Sequence, residues 1–164
     1  MTVAVSTKRG SMSFLENTVP PPLAVALVGT AMSLIQWWAL GSPVGTAVNV
    51  AAGFPIVVIG GLIVVTGART FWRAGTTINP VNIERASALV TAGVFSYSRN
   101  PMYVGFAIML VGWAIGLGSP WALLGPLAFT VFTDRFQIVP EERIMLAKFG
   151  DAYRDYCQRV RRWI

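Results

Sequence analysis

Histidine is absent from this chain of 164 residues, and cysteine occurs once. Without imidazole there is no Ser-His triad, no histidine proton relay and no imidazole metal site. The lone thiol, Cys157, cannot close an intrachain disulfide or build a thiolate cluster. It reads as an inert helix residue, and no metal is expected. Charge is scarce as well: 12% of residues are Asp, Glu, Lys or Arg, against about 25% in soluble domains. The chain also lacks the strand, glycine loop and helix of a Rossmann unit. It has no internal repeat and no basic soluble face interleaved with aromatics, so nucleic acid is not an expected partner.

What the chain has in quantity is apolar sequence. Hydrophobic residues make up 54% of it, and the mean hydropathy is positive. Four apolar runs stand out, at residues 23–40, 48–65, 101–117 and 121–139. Each approaches the ~20 residues that cross a hydrocarbon core as a helix, and backbone groups in lipid must be satisfied within their own segment. The fold class expected is therefore all-α: an integral membrane bundle of four transmembrane helices. Pro55 and the glycines Gly60, Gly61 and Gly67 weaken the second run. The first is read as a span and not as a signal peptide, because it exceeds a usual h-region and no cleavage site follows. Pro20, Pro21 and Pro22 fall near its first turn, where proline is tolerated.

Charge placement orients the bundle. Of the 13 basic residues, Lys8 and Arg9 precede the first run, and Arg69, Arg73, Arg85 and Arg99 lie between the second and third. The remaining seven, Arg135, Arg143, Lys148, Arg154, Arg159, Arg161 and Arg162, follow the fourth or lie at its end. The links 41–47 and 118–120 carry no charge. The positive-inside rule then places both termini and the middle loop in the cytoplasm of a multi-pass protein, with the plasma or inner membrane as the expected site. The net charge of +6 reads as orientation and attraction to anionic membrane lipid.

Residues 1–19 are expected to be a flexible cytoplasmic segment and 20–164 one membrane domain. Within that domain, 69–100 form a cytoplasmic loop, 101–139 a helical hairpin and 140–164 a cytoplasmic tail. The loop is long for a compact bundle, which favours an ordered lid. Gly118, Ser119 and Pro120 alone join the hairpin arms, so residues 101 and 139 come to one level. Gly105, Gly112 and Gly116 give the third run a small-residue face suited to close helix packing. In the tail, Pro140 suits a first helical position, and Glu141 and Glu142 a first turn. Met145, Phe149, Ala152, Tyr153, Tyr156, Val160 and Trp163 recur at helical spacing. Gly150 and Asp151 read as a break and a new N-cap. Two short C-terminal helices, folded under the bundle or lying on the membrane surface, are expected.

The polar runs GTTINP (75–80), SALVTAGVFSYSRNPMYVG (87–105), PEER (140–143) and FGDAYRDYCQRVRRW (149–163) resemble the isoprenylcysteine carboxyl methyltransferase family, related to the phospholipid N-methyltransferases. The likeness covers roughly residues 69–164. It implies S-adenosylmethionine as cofactor, S-adenosylhomocysteine as product, and methyl transfer to a lipophilic acceptor at the cytoplasmic membrane face. By that pattern the cofactor contacts correspond to Ser87, Ala88, Leu89, Val90, Phe95, Asn100, Pro101, Met102, Tyr103 and Glu141. The chemistry is consistent with those residue types. An apolar wall (Leu89, Val90, Phe95) suits adenine, a carboxylate at Glu141 or Glu142 suits hydroxyls and cations, and Tyr103 with backbone at 100–102 suits a carboxylate.

The residues expected at the reacting end are Glu142 and Arg135. The family's substrate-facing arginine falls on Gln137, and Arg135 is the nearest alternative. Arg99 reads equally as a site residue or a headgroup anchor; Tyr153 and Tyr156 read as packing. Asn100 stands where the family often has histidine, and asparagine does not titrate. Two other readings compete: an NADPH-dependent sterol-reductase-like enzyme, and a small four-helix transporter. The transporter would need an ionisable residue within a span, and no acidic residue lies deep within one.

Overall fold

The computed structural model describes residues 19–41, 45–75 and 88–164, and these are helical with short links. The N-terminal segment 1–18, the middle of the long loop (76–87) and Ser87 with it lie outside the described residues.

Helix α1, Pro21–Leu40, opens on the proline cluster and ends at Gly41, whose left-handed φ of 67° lets its N–H return to the Trp37 carbonyl. Helix α2, Ala47–Arg73, is started by a reciprocal capping box between Thr46 and Asn49. It passes through Pro55 without a break and carries Arg69 and Arg73, so the loop begins after Arg73, later than expected. Helix α3, Pro101–Leu117, closes at Gly118 with φ 70°. A single 3-10 turn, Pro120–Leu123, leads into α4, Leu124–Thr133, completing the short hairpin.

The expected break after residue 139 does not exist. A π-turn, Asp134–Ile138, joins α4 directly to α5, Val139–Arg159, and the Val139 N–H bonds to the Asp134 carbonyl five residues back. Pro140 follows at once. In an ordinary helix its ring would crowd the carbonyl four residues earlier; the wider π-turn occupies that stretch. The break expected at Gly150 is present, at φ 52° and ψ −123°, and re-aims the second half of α5.

The middle of the fold is α3, packed against α1, α2 and α4. Its closest partner is α2, and glycine is the reason. A Cβ on Gly53 would stand 2.3 Å from the Gly112 carbonyl oxygen, and one on Gly60 2.5 Å from that of Gly105. Of the glycines that weaken the second run as an isolated helix, Gly60 and Gly67 face this partner helix and Gly61 does not. Polar seams tie the far end: Gly45 N–H to Gly116 O at 3.0 Å, and Gln36 Nε2 to Leu117 O at 3.1 Å.

Helices α1 and α2 are long and apolar enough to cross a membrane, and α3 is a shorter apolar helix. Leu27, Ile35, Phe54, Ile59, Leu62, Leu127 and Val131 face outward and are exposed. A water-soluble protein does not leave so large an apolar surface bare; acyl chains cover it at no cost. Trp37, Trp38 and Trp121 project near the uncharged links, and Trp72 and Tyr97 at the opposite, arginine-bearing end. Two aromatic girdles are the usual marks of the two interfaces.

Candidate active site

The charged end of the bundle is assembled from three segments. The first is the corner Arg99-Asn100-Pro101. A residue before proline is pushed out of the helical region, and Asn100 is accordingly non-helical (φ −130°, ψ 51°), with Pro101 opening α3. The second is the first turn of α5, which presents Glu141 and Glu142. The third is the chain after Gly150, whose Tyr153, Tyr156 and Val160 pack with Leu89, Met145 and Phe149.

These segments are joined by specific bonds. Tyr103 donates its hydroxyl to Glu141 Oε1 at 2.7 Å. Arg99 pairs with Glu142 Oε1 at 3.2 Å and donates to the Cys157 sulfur. Tyr156 donates to the Phe95 carbonyl at 2.7 Å. Between them lies a cleft of about 480 Å³, counting its open mouth, with Phe71, Leu89, Val90 and Phe95 on the apolar wall. Arg99, Asn100, Glu141 and Glu142 supply its polar side, and Met145, Tyr153 and Tyr156 its remaining wall. The 3-10 turn Gly93–Ser96 buries Phe95, whose ring stands edge-on to Phe71 at 4.9 Å.

Burial pushes the Glu141 carboxyl up to about 7; the Tyr103 hydrogen bond opposes this and the charge of Glu142 adds to it. Burial also pushes the Tyr156 hydroxyl up to about 12, and raises Tyr153 further. Both phenols therefore face the cleft as neutral groups at physiological pH. Arg99 Nε is buried and without a hydrogen-bond partner among the described residues.

Of the residues expected from sequence, Leu89, Val90, Phe95, Asn100, Glu141 and Glu142 line one cleft. Tyr103 stands behind Glu141 and orients it. Pro101 is buried at the helix start, and Met102 turns toward α2, where it fills the space over Gly67. Ala88 is half-buried beside the lining residues.

Arg135 lies apart from the cleft. It is exposed, its guanidinium 6.0 Å from the Phe136 ring centre, and it does not reach the cleft. In the π-turn it is the neighbouring Asp134 that turns inward, to Arg162 and Trp163. Gln137 is buried and donates to the Val19 carbonyl at 2.7 Å, also away from the cleft. Sequence reasoning misses Phe71, Met145 and Arg162, and takes Tyr153 and Tyr156 for packing alone. The apolar stripe through Met145 and the two tyrosines is the available signal. Arg162 has none, since its role depends on the tail doubling back.

Cys157 sits behind Arg99 and does not line the cleft. Cys157→Ser is expected to change ligand affinity by less than about twofold, because a hydroxyl accepts the same guanidinium N–H. A large loss in a binding titration would show that the thiol itself is required.

Apolar outer faces, exposed aromatics near both ends and an ion-paired cleft at the charged end mark a helical membrane protein. The chain belongs to the phospholipid methyltransferase family, whose profile matches residues 48–152. It is similar to protein-S-isoprenylcysteine O-methyltransferase B of Arabidopsis thaliana, 33% identical over 111 residues, covering 66% of this chain and 55% of that protein. The probable protein-S-isoprenylcysteine O-methyltransferase of Oryza sativa subsp. indica is 36% identical over 111 residues, 66% of this chain and 56% of that one. An uncharacterized Haemophilus influenzae protein is 43% identical over 63 residues, its whole length and 38% of this chain. The chain spans about half the length of the plant relatives. The likeness carried by the polar motifs is borne out. The family match also begins at residue 48, so it takes in α2 from its second residue, all of which lies before those motifs.

Proposed function

We propose that this protein transfers a methyl group from S-adenosylmethionine to a lipophilic acceptor at the cytoplasmic face of the membrane. In this reading it crosses the plasma or inner membrane four times, the fourth crossing built from α4 and the π-turn, with both termini cytoplasmic. One observation carries the proposal: Arg99, Asn100, Glu141 and Glu142 converge on one apolar-walled cleft, joined by the Arg99–Glu142 ion pair.

The residues fit the cofactor's parts. The Phe71, Leu89, Val90 and Phe95 wall suits a flat purine. Glu141, enclosed and titrating near neutrality, suits a cationic or hydroxyl-bearing group. The unpartnered Arg99 Nε and the Asn100 side chain on the cleft wall suit a carboxylate. When bound, S-adenosylmethionine supplies an electrophilic methyl on a sulfonium that is already a good leaving group.

The protein's own work is then orientation and exclusion of water. Tyr103 fixes the Glu141 carboxylate, and Arg99 and Glu142 restrain one another, so neither must reorganise on binding. The second half of α5 covers the cleft with Tyr153 and Tyr156, limiting water. No residue has to act as a strong base for an acceptor that is a carboxylate, thiolate or free amine, and the absence of histidine is consistent with that. The acceptor, an isoprenoid-linked carboxylate, an aminophospholipid, a thiol or a small hydrophobic molecule, would approach laterally from the acyl chains.

Incubation of purified protein with isotopically labelled S-adenosylmethionine and host lipid extract tests this directly. Mass spectrometry is expected to find the label in a lipid-soluble product, with S-adenosylhomocysteine formed in step. Absence of both products, or binding of NADPH in place of S-adenosylmethionine, would refute it.

A further inference from the structure

We propose that Arg162 is a positioning residue: it latches the C-terminal segment across the charged end of the bundle and holds Glu142 and the Arg99–Asn100 corner in their ligand-binding arrangement. The inference rests on the reading of the cleft as an S-adenosylmethionine site.

The segment that carries it leaves α5 at Val160, which is extended (φ −125°, ψ 130°), and runs back past the corner. Its backbone grips that corner. The Arg161 carbonyl accepts the Arg99 N–H at 3.0 Å, and the Arg162 carbonyl accepts Asn100 Nδ2 at 3.0 Å and the Ser98 hydroxyl at 3.5 Å. The side chain reaches the other two segments. Arg162 Nε and Nη2 donate to the two oxygens of Glu142 at 3.0 and 2.6 Å, and Nη1 donates to Asp134 at 3.3 Å. Trp163 Nε1 adds a bond to Asp134 at 3.2 Å. One residue therefore ties together the corner, the π-turn and the first turn of α5.

The fork geometry explains why arginine is there. Two parallel N–H donors fix a carboxylate in orientation as well as position, which a lysine ammonium cannot do. Its side chain is about a third exposed, so solvent screens the pair and its worth to global stability is small. What it contributes is the placement of Glu142, which Arg99 holds from the other side at 3.2 Å. Remove Arg162 and Glu142 keeps one cationic partner, free to swing.

Two experiments test the latch. Hydrogen exchange in the ligand-free protein needs no cofactor. Arg162→Ala is expected to raise exchange about tenfold in residues 98–104 and 134–142 while the α2–α3 core is unchanged. Unchanged exchange in both segments would overturn the latch, whatever the cleft binds. In a titration with S-adenosylmethionine, Arg162→Ala is expected to raise Kd about tenfold, with Arg162→Lys between the two and kcat affected less than KM. The double variant with Glu142→Gln is expected to lose no more than Glu142→Gln alone, because Arg162 acts through that carboxylate. Additive losses would overturn the positioning role. Wild-type protein that fails to bind S-adenosylmethionine refutes the assigned ligand, and the exchange experiment then decides the latch by itself. Should Arg162→Ala not fold, Arg162→Lys and Asp134→Asn are read in its place by the same criteria.

Discussion

Glu141→Ala is expected to weaken S-adenosylmethionine binding at least tenfold in a calorimetric titration. The group removed is an enclosed carboxylate that lines the cleft and is held by Tyr103 at 2.7 Å. Hydrogen bonds to a charged group are worth about 1.5–3 kcal/mol, and stranding the Tyr103 hydroxyl adds to the loss. Glu141→Gln separates the two effects, since it keeps an acceptor for Tyr103 and removes only the charge. Unchanged affinity in both variants would remove Glu141 from the site.

The same carboxyl makes binding depend on pH. Burial pushes it up to about 7, so a large fraction is neutral in the free protein just below neutrality. A cationic ligand favours the ionised form. Affinity is therefore expected to rise as pH increases through about 7, and binding near pH 6.5 is expected to release protons, seen as a dependence on buffer ionisation enthalpy. Glu141→Gln is expected to flatten both. Stability has the opposite sign. A carboxyl raised from 4.5 to about 7 in the fold favours the folded state at pH below 4.5, and that contribution is lost as pH rises through 7. Thermal unfolding of the free wild-type protein is thus expected to move to lower temperature across that window, relative to Glu141→Gln.

The largest effect on folding is expected from a single methyl group. Gly60→Ala places a Cβ 2.5 Å from the Gly105 carbonyl oxygen and 2.8 Å from the Met109 nitrogen, and both are backbone atoms of α3 that cannot rotate aside. The helices must part, and overpacking of this kind costs about 1–3 kcal/mol or more. The adjacent Gly61 faces open space, where a methyl would meet nothing within 4 Å. A helical glycine-to-alanine change there is worth roughly 0.5–1 kcal/mol in the favourable direction. Thermal unfolding in detergent is expected to fall for Gly60→Ala and hold or rise for Gly61→Ala. Equal behaviour of the two would contradict the glycine contact.

The periodic and the covalent are legible from sequence; the reciprocal is not. Apolar run lengths locate α1, α2 and α3, and the short link at Gly118 requires the hairpin that brings Tyr103 level with Glu141. The left-handed break at Gly150 is visible because glycine followed by aspartate marks a helix end. The π-turn is not, since nothing in DRFQI distinguishes a π-turn from an ordinary one until Pro140 is seen to continue the helix. That turn decides which side chain faces in, which is why Asp134 meets Arg162 and Arg135 remains outside. The glycines at 60 and 67 look like weak points because their value lies in a partner helix far along the chain. Arg162 belongs to the same class: its contacts come from three segments, and no local pattern encodes them.

Photo-crosslinking of radiolabelled S-adenosylmethionine to the purified protein, followed by peptide mapping, addresses most directly whether the two polar motifs form one binding site. The label is expected on peptides within 89–103 and 139–156, and excess S-adenosylhomocysteine is expected to displace it. Label confined to peptides from α1, or from the uncharged links near Gly45 and Ser119, would contradict the site.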